Sequence, residues 1–475
     1  MAGLPWTKFQ DFYLRLGFLK VLVAVLSPER RSATSDTIVR RLQSPLFDPT
    51  TLHPDLHDRV ADLFADMYPR RTSSGKEIEC PEVAEAILAI DGAESALYGI
   101  TRDTAYKILD WGHDVQLVGR ANQITERGLL LRSLWQPERA DHFLSGKLIE
   151  WRPLLLTLRE RLFFLYHLEE IDSLTVELIR DLGALAEGDI LENRDAAKLT
   201  SRALLRVLVE AEPQLQSRDI LAFRTAQELV LTIAAELDEP VPSAWSGVAR
   251  QLLVARSAKS RSRIADVKIK NRKTTKNADH QTIPRFEQLI DLGFLTKPDT
   301  EGPDPRLALA ARRRWKYVAT GLCRRWSRAR RHYDDSQRAG VRPDDLKPFR
   351  WNGFARTAVA SFHALEVDSI TRPTYRIIGE RLWAAYSSAR RSVGLSPVDS
   401  IALVAMIDSV ADGVCIEMAD IHDLLLKIQE RAVLADCVYF ASGRALDKMF
   451  IQLKPSFPDR FAAIADQLEV GEVNG

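Results

Sequence analysis

The chain has few cysteines for its length. Its 475 residues include four, Cys80, Cys323, Cys415 and Cys437, and no two of them stand in a CxxC or in the Cys/His spacing of a zinc finger. This argues against a disulfide framework and against a structural metal site. We therefore expect a protein of a reducing, cytoplasmic compartment that holds no metal and no cofactor.

Long hydrophobic runs are also lacking. The most apolar stretch near the start, "LGFLKVLVAVL" at residues 16–26, is one helix long and is interrupted by Lys20. A membrane-spanning helix needs about 20 consecutive apolar residues. The stretch predicts a buried helix rather than a signal peptide, and we expect no membrane partner.

The common catalytic motifs are absent from the sequence. There is no GxGxxG, GxSxG or HExxH, and "SSGKE" at residues 73–77 lacks the remaining positions of a Walker loop. "IADVKIK" places Asp266 and Lys268 as in half of a metal-dependent nuclease core, but the helical sequence before it offers no strand for the second acid. We predict a non-catalytic protein, with a nuclease as a minor alternative.

Helical periodicity dominates the chain. Apolar residues recur at helical spacing over residues 154–185, 195–212 and 224–239, whereas strand-like alternation is confined to short stretches that follow helices. The length exceeds what one hydrophobic core supports. The sequence predicts a mostly α, multidomain protein with small β-hairpins.

Clusters of Pro, Ser, Thr and Gly predict loops or linkers between domains. They lie at residues 44–55, 68–77, 238–245 and 339–349. We predict four domains: an N-terminal helical region at 1–145, a helical domain at 146–245, a basic domain at 246–350 and a C-terminal domain at 351–475.

The net charge of +1 hides a strong asymmetry. Residues 246–350 contain 26 Lys and Arg against 11 Asp and Glu, a net charge of +15, and the rest of the chain has 40 against 54, a net charge of −14. A segregated positive field attracts polyanions because each neutralised phosphate releases counterions. The alternative is a solvated basic face without a nucleic-acid partner.

One local plan occurs at residues 282–320. Thr282 and Pro284 suit the start of a helix, Phe286 and Leu289 with the neighbouring Ile290 form its inner stripe, and Gly293 stands where a left-handed C-terminal residue is wanted. "FLT" then leaves the helix extended, and "RRRWKYVAT" can return as a strand after a polar turn. The predicted order is helix, strand, turn, strand.

Further copies of this plan are predicted elsewhere. "ITRDTAYKILDWGHDVQLVGRANQITERGLLLRSLW" at 100–135 has Tyr106, Ile108 and Leu109 as its inner stripe and a further helix from Glu126. Residues 395–453 end in the hairpin-like "CVYFASGRALDKMFIQL", and residues 32–44 are a weaker candidate.

This pattern resembles the winged-helix branch of helix-turn-helix DNA-binding domains, and "RFEQLIDLGFLTK" carries the resemblance furthest. The resemblance implies tandem winged-helix-like units joined by helical segments, including one at about 82–135. It also implies a recognition helix in the major groove and a hairpin wing beside the DNA backbone.

If the inner stripe faces the core, Arg285 and Gln288 lie on the outer face of the helix and are the candidates for base contacts. The alternative is that both are simply exposed polar residues. The candidates for phosphate contacts are the basic residues on either side of this helix: Arg261, Arg263, Lys268, Lys270, Arg272, Lys273, Lys276, Arg312, Arg313, Arg314, Lys316, Arg324 and Arg325. Trp315, Tyr317 and Trp326 are interpreted as core residues, with base stacking as the alternative.

The other copies carry carboxylates that would repel phosphate, among them Asp103, Asp110, Asp420 and Asp423. We expect these acidic N- and C-terminal regions to bind protein partners or a second protomer. The leading hypothesis is a bacterial regulator, or a DNA-binding subunit of a larger complex in chromosome maintenance or antiphage defence, that binds double-stranded DNA. A protein-interaction scaffold without DNA specificity is the alternative.

Overall fold

A computed structural model describes residues 16–27, 31–43, 102–135, 156–218, 220–243, 245, 282–296, 316–340, 352–389, 395–431, 434–442 and 449–470. Over these residues the chain is mostly helical, with a few small antiparallel strand pairs. This agrees with the fold class predicted from the 3.6-residue periodicity.

The helices, in chain order, are α1 (Gly17–Val25), α2 (Ser35–Gln43), α3 (Arg102–Asp114), α4 (Glu126–Trp135), α5 (Leu158–Ile171), α6 (Ser173–Leu182), α7 (Asn193–Arg218), α8 (Ile220–Leu237), α9 (282–291), α10 (Gly321–Gly340), α11 (Asn352–Phe362), α12 (Tyr375–Ala389), α13 (Val398–Ala411), α14 (Met418–Gln429) and α15 (Phe457–Val470). The strands are β1 (Ile190–Leu191), β2 (Leu295–Thr296), β3 (Tyr317–Ala319), β4 (Ser396–Pro397), β5 (Val438–Ser442) and β6 (Met449–Leu453).

The chain divides into two units. The first contains the described residues within 1–123, 137–156 and 167–324, and the second those within 124–136, 157–166 and 325–475. The domain boundaries predicted near residues 145 and 350 lie outside the described residues, and the one near 245 borders them. The predicted division into four domains therefore stays a prediction.

The first unit contains a three-stranded antiparallel sheet in the order β1-β3-β2. Ile190 pairs with Val318, and Leu295 pairs with Ala319. The predicted sequence of helix, left-handed glycine and strand is confirmed, since α9 is followed by Gly293 with φ +89° and then by β2. Helices α6, α7 and α8 pack in succession, and α1, α2 and α3 pack against one another.

The stretch at 100–135 follows its prediction in part, since Tyr106 of the predicted inner stripe is only partly buried and no strand follows α3 within residues 114–125. Ile108 and Leu109 are buried on α3, and α4 begins at Glu126 as expected. The predicted tight turn is a short 3-10 turn in which Ala121 and Asn122 have φ values of +55° and +56°.

The apolar stretch at 16–26 forms α1. Its helix is largely buried, and even Lys20 is only 3% exposed. No helix within the described ranges is both long enough and apolar enough to cross a bilayer.

The second unit is built on α12, which packs against α13, α14 and α15. Its sheet has the order β4-β6-β5, and β5 and β6 form the antiparallel hairpin predicted from "CVYFASGRALDKMFIQL", with Tyr439 opposite Gln452. The apolar positions of α13 are buried nearly all round the helix, so α13 is central to this core.

Candidate nucleic-acid interface

The helix assigned to base reading is buried. Arg285 and Gln288 on α9 are both 0% exposed, as are Phe286 and Leu289. The prediction that Arg285 and Gln288 lie on an outer face is therefore wrong. Of the predicted inner stripe, Phe286 and Leu289 are fully buried and Ile290 is partly buried, but neighbouring elements cover the opposite side of the helix as well.

Arg285 is held by an acid from a distant part of the chain. Its Nη2 lies 3.3 Å from Oδ1 and 3.2 Å from Oδ2 of Asp172, whose side chain is also 0% exposed. The Asp172 carboxylate also accepts hydrogen bonds from the backbone N–H and the hydroxyl of Thr175, where it caps α6. Burial lowers the pKa of the Arg285 guanidinium, and the charge of Asp172 opposes this effect.

The remaining polar side chains of α9 also face protein. Glu287 is 7% and Asp291 3% exposed. Asp291 Oδ2 accepts a hydrogen bond of 2.7 Å from the backbone N–H of Leu16. Glu287 faces Tyr317, whose pKa is raised mainly by burial and further by the charge of Glu287. As placed, α9 offers no polar side chain to a base edge.

Two of the three aromatic residues near the basic stretches belong to the core. Tyr317 is 0% exposed, with its ring centroid 5.0 Å from that of Phe286. Trp326 is 4% exposed and packs edge-on against Phe354, at 5.3 Å between centroids. Their interpretation as packing residues is confirmed, and Trp315 lies outside the described residues.

An arginine surface lies on α10, the helix that follows the first sheet. Thr320 anchors its start, because the Thr320 hydroxyl donates to the carbonyl oxygens of Gly293 and Phe294, at 2.8 and 3.0 Å. Leu322 and Cys323 at the start of the helix are buried, and Trp326 continues the buried side one turn later. The helix is therefore packed on one side only.

The exposed side of α10 carries only basic residues over two turns. At 100° per residue, the exposed positions between residues 324 and 332 span an arc of about 120° and a length of about 12 Å along the helix. We call this set the α10 basic arc, and its members are Arg324, Arg325, Arg328, Arg331 and His332.

Few of these side chains form hydrogen bonds or ion pairs with the described residues. Arg325 Nε donates to the carbonyl oxygen of Ser361 at 2.9 Å, and Arg331 Nε donates to that of Ser327 at 3.4 Å. No carboxylate among the described residues forms an ion pair with any arginine of the arc. His332 Nε2 lies 3.2 Å from Oδ1 of the exposed Asp368. Within the described residues, the four arginines of the arc therefore present positive charge that no ion pair compensates.

The other predicted phosphate contacts are divided between the described and undescribed parts of the chain. Lys316 is half-exposed, and its Nζ lies 3.2 Å from Oε1 of Glu192, so part of its charge is neutralised. The following residues lie outside the described residues: Arg261, Arg263, Lys268, Lys270, Arg272, Lys273, Lys276, Arg312, Arg313 and Arg314.

Sequence reasoning missed Arg328, Arg331 and His332 as candidates. The signal was present in "RRWSRARRH", where the bases recur at three- and four-residue spacing around the apolar Trp326. That spacing places residues on one helical face.

The helices of the other copies present different surfaces. On α3 the exposed positions include Asp103, Asp110 and Asp114, and Arg102 is paired with Asp36 at 3.3 Å. The hydrogen bond from Tyr106 is the main cause that lowers the pKa of Asp36. These features give α3 an acidic outer face, which suits phosphate poorly.

On α14 the exposed positions are Ala419, His422, Leu426 and Gln429, and Leu426 is 57% exposed. Lys427 is turned aside, with its Nζ 4.4 Å from the ring centroid of Tyr375. The outer face of α14 is therefore weakly polar and has little positive charge.

No cluster of three or more His, Cys, Asp or Glu suited to a metal ion occurs within the described ranges. Comparison of the chain with protein-family models, with curated proteins and with solved structures finds no match.

Proposed function

We propose that this protein is a non-catalytic, double-stranded DNA-binding protein that uses winged-helix units and its basic segment. A transcriptional regulator has this activity, and so does a DNA-binding subunit of a larger complex in chromosome maintenance or antiphage defence. The observation that carries the proposal is the α10 basic arc, with its four arginines that no described carboxylate neutralises.

Local topology supports the winged-helix part of the proposal. At two places a helix is followed by an antiparallel strand pair: α9 by β2 and β3, and α14 by β5 and β6. In the first of these places the second strand leads directly into α10, and the arc begins at Arg324, five residues after Ala319, the last residue of β3. A strand pair that is followed in the chain by a basic helix suits a protein that contacts a phosphate backbone.

The test is the binding of the purified full-length chain to a labelled random-sequence duplex over a salt series. We expect affinity to rise steeply as salt falls, because each neutralised phosphate contributes about −0.9 to the slope of log K against log salt. The variant Arg324→Gln/Arg328→Gln is expected to bind more weakly and to lower the magnitude of that slope by about 2.

A control variant removes two arginines from another surface. Arg376 pairs with Asp466 and Arg460 with Asp436, so Arg376→Gln/Arg460→Gln changes the net charge by the same amount. We expect this control to bind duplex like the wild type. A second variant, with Lys268, Lys270, Arg272, Lys273 and Lys276 changed to Ala, tests the basic segment. If the wild type shows no affinity even at low salt, DNA binding is not its function.

A protein-interaction scaffold is the second candidate function. It is favoured by exposed apolar side chains in the second unit, where Leu426 on α14 is 57% and Tyr439 on β5 is 54% exposed. Isolated exposed apolar residues are common, so the candidate needs a direct test. Light scattering on the wild type and on Leu426→Asp/Tyr439→Asp would detect self-association, and a wild type that stays monomeric at high concentration would contradict a second copy as the partner.

A further inference from the structure

The described surface near the proposed DNA site consists mainly of arginines, so guanine is the only base for which it offers several matching side chains. Base readout requires side chains that match different donor and acceptor patterns, such as Asn or Gln on adenine and Arg on guanine. The amide predicted for that purpose, Gln288, is fully buried, and so is Arg285. Between residues 324 and 332, no side chain with an amide, hydroxyl or carboxylate group is exposed.

The spacing of the arginines in the arc suits a ligand with regularly repeated anionic groups. Arg324 and Arg328 are four residues apart, so their Cα atoms are separated by about 6 Å along the helix axis. Arg331 extends this row of arginines to about 10 Å. Two of the arginines have Nε bound to a carbonyl oxygen, at Ser361 and Ser327. Those bonds use only Nε, and both side chains are exposed. A uniform row of guanidinium groups matches a uniform row of phosphates.

The burial of the described aromatic side chains favours a double-stranded over a single-stranded ligand. Proteins that bind single strands without sequence preference combine a positive groove with exposed aromatic rings on which bases stack. Here the described aromatic residues nearest the arc in the chain, Tyr317 and Trp326, are 0% and 4% exposed. Their rings pack on Phe286 and Phe354 and have no free face for a base.

We infer that the α10 basic arc recognises the phosphate backbone of duplex DNA, without base readout and in preference to single strands. This inference rests on the proposed function and specifies its ligand.

The experiment is a competition assay with the full-length protein bound to a labelled 25-base-pair random duplex. Unlabelled competitors are an A·T-only duplex, a G·C-only duplex, a mixed duplex and a mixed single strand of the same length. We expect the three duplexes to compete within about threefold of one another, because their backbones carry the same charge density. We expect the single strand to compete at least fivefold more weakly.

A pair of matched variants separates phosphate binding from guanine binding. A lysine ammonium binds phosphate as a point charge but cannot reproduce the planar two-point contact of arginine with guanine. We expect Arg324→Lys/Arg328→Lys to keep the same ratio of affinities for the G·C and A·T duplexes as the wild type, and Arg324→Gln/Arg328→Gln to lose affinity for both equally.

Two results would overturn the inference while leaving DNA binding intact. One is a preference of more than about tenfold for one duplex that the lysine variant abolishes, which would show that the arginines read bases. The other is a single strand that competes as well as the duplexes. If no nucleic acid competes because none is bound, the proposed function itself fails, and the two failures are thus distinguishable.

Discussion

The ring of Phe461 on α15 lies directly against Gly379 on α12. A Cβ atom added at residue 379 would lie 2.0 Å from Cε1 and 2.5 Å from Cζ of that ring, which is far inside van der Waals contact. Phe461 is 2% exposed, and its ring stacks on Phe457 at 5.2 Å between centroids. The two helices can approach this closely only because residue 379 has no side chain.

We therefore predict that Gly379→Ala destabilises the second unit. The displaced ring costs about 1–3 kcal/mol, which exceeds the gain of about 1 kcal/mol that alanine brings to a helix interior. Thermal or urea unfolding of the variant measures the effect. Adding Phe461→Leu to Gly379→Ala should recover part of the loss, and a single variant as stable as the wild type would contradict the close approach.

The buried pair of Arg285 and Asp172 leads to a prediction about the first unit. Arg285→Met leaves a buried carboxylate without its cation, which costs about 3–5 kcal/mol. The exposed pair of Arg376 and Asp466 provides the control, since Arg376→Met should cost no more than about 1 kcal/mol. Urea unfolding compares the two.

Replacing both members of the buried pair distinguishes an ion pair from simple packing. Arg285→Met/Asp172→Leu leaves no unpaired charge, so we expect it to be more stable than Arg285→Met alone, although α6 loses its capping carboxylate at a cost of about 1 kcal/mol. Equal stability of Arg285→Met and the exposed control would show that the pair contributes little.

Glu417, which precedes α14, predicts a pH dependence of stability. Burial raises the pKa of Glu417 to about 7, and the charge of Asp420 adds to this, while Arg356 and Arg372 oppose it. Between about pH 4.5 and 7 the folded chain holds a proton that the unfolded chain has released. The contribution of this group is therefore most favourable at low pH and is lost as pH rises through 7, by on the order of 2 kcal/mol.

Urea unfolding at intervals from pH 5 to pH 8 tests this dependence. The difference in unfolding free energy between the wild type and Glu417→Gln should change across that range in the stated direction. The exposed Glu430, at the other end of α14, provides the matched control, Glu430→Gln. A difference that is flat from pH 5 to pH 8 would contradict the burial of the Glu417 carboxyl.

The described cysteines should be protected from alkylation in the folded protein. Cys323, Cys415 and Cys437 are free and buried, and burial raises the pKa of Cys323 to about 11 and that of Cys415 to about 12. Because the thiolate is the reactive form, we expect their peptides to stay unlabelled by iodoacetamide at pH 8 and to label fully in urea. Mass spectrometry measures both states.

An exposed cysteine calibrates this experiment. Ser387 on α12 is exposed, so Ser387→Cys should label rapidly in the folded protein under the same conditions. Rapid labelling of Cys323 or Cys415 at the rate of the introduced cysteine would contradict their burial.

The local elements could be predicted from the sequence. Gly293 ends α9 with a positive φ, β2 and β3 follow as expected, and the hairpin of β5 and β6 lies where "CVYFASGRALDKMFIQL" predicted it. These features depend on neighbours within a few residues, such as a helix-terminating glycine or an alternating apolar pattern. Such signals are contained in short stretches of chain.

The exposure of the predicted site residues could not be predicted in the same way. The periodicity of α9 identified Phe286 and Leu289 as buried, but it could not reveal that Arg285 is also buried and paired with Asp172, 113 residues earlier. A polar residue opposite an apolar stripe is usually solvated, and only a partner distant in sequence makes its burial tolerable.

The sequence by itself determined the helical fold class, the hairpins and the concentration of positive charge at residues 246–350, because composition and short-range periodicity carry this information. Only the tertiary structure decided which charges face solvent. It enclosed Arg285 with Asp172 and left Arg324 and Arg328 on the open side of α10, because burial depends on what packs against a helix from elsewhere in the chain.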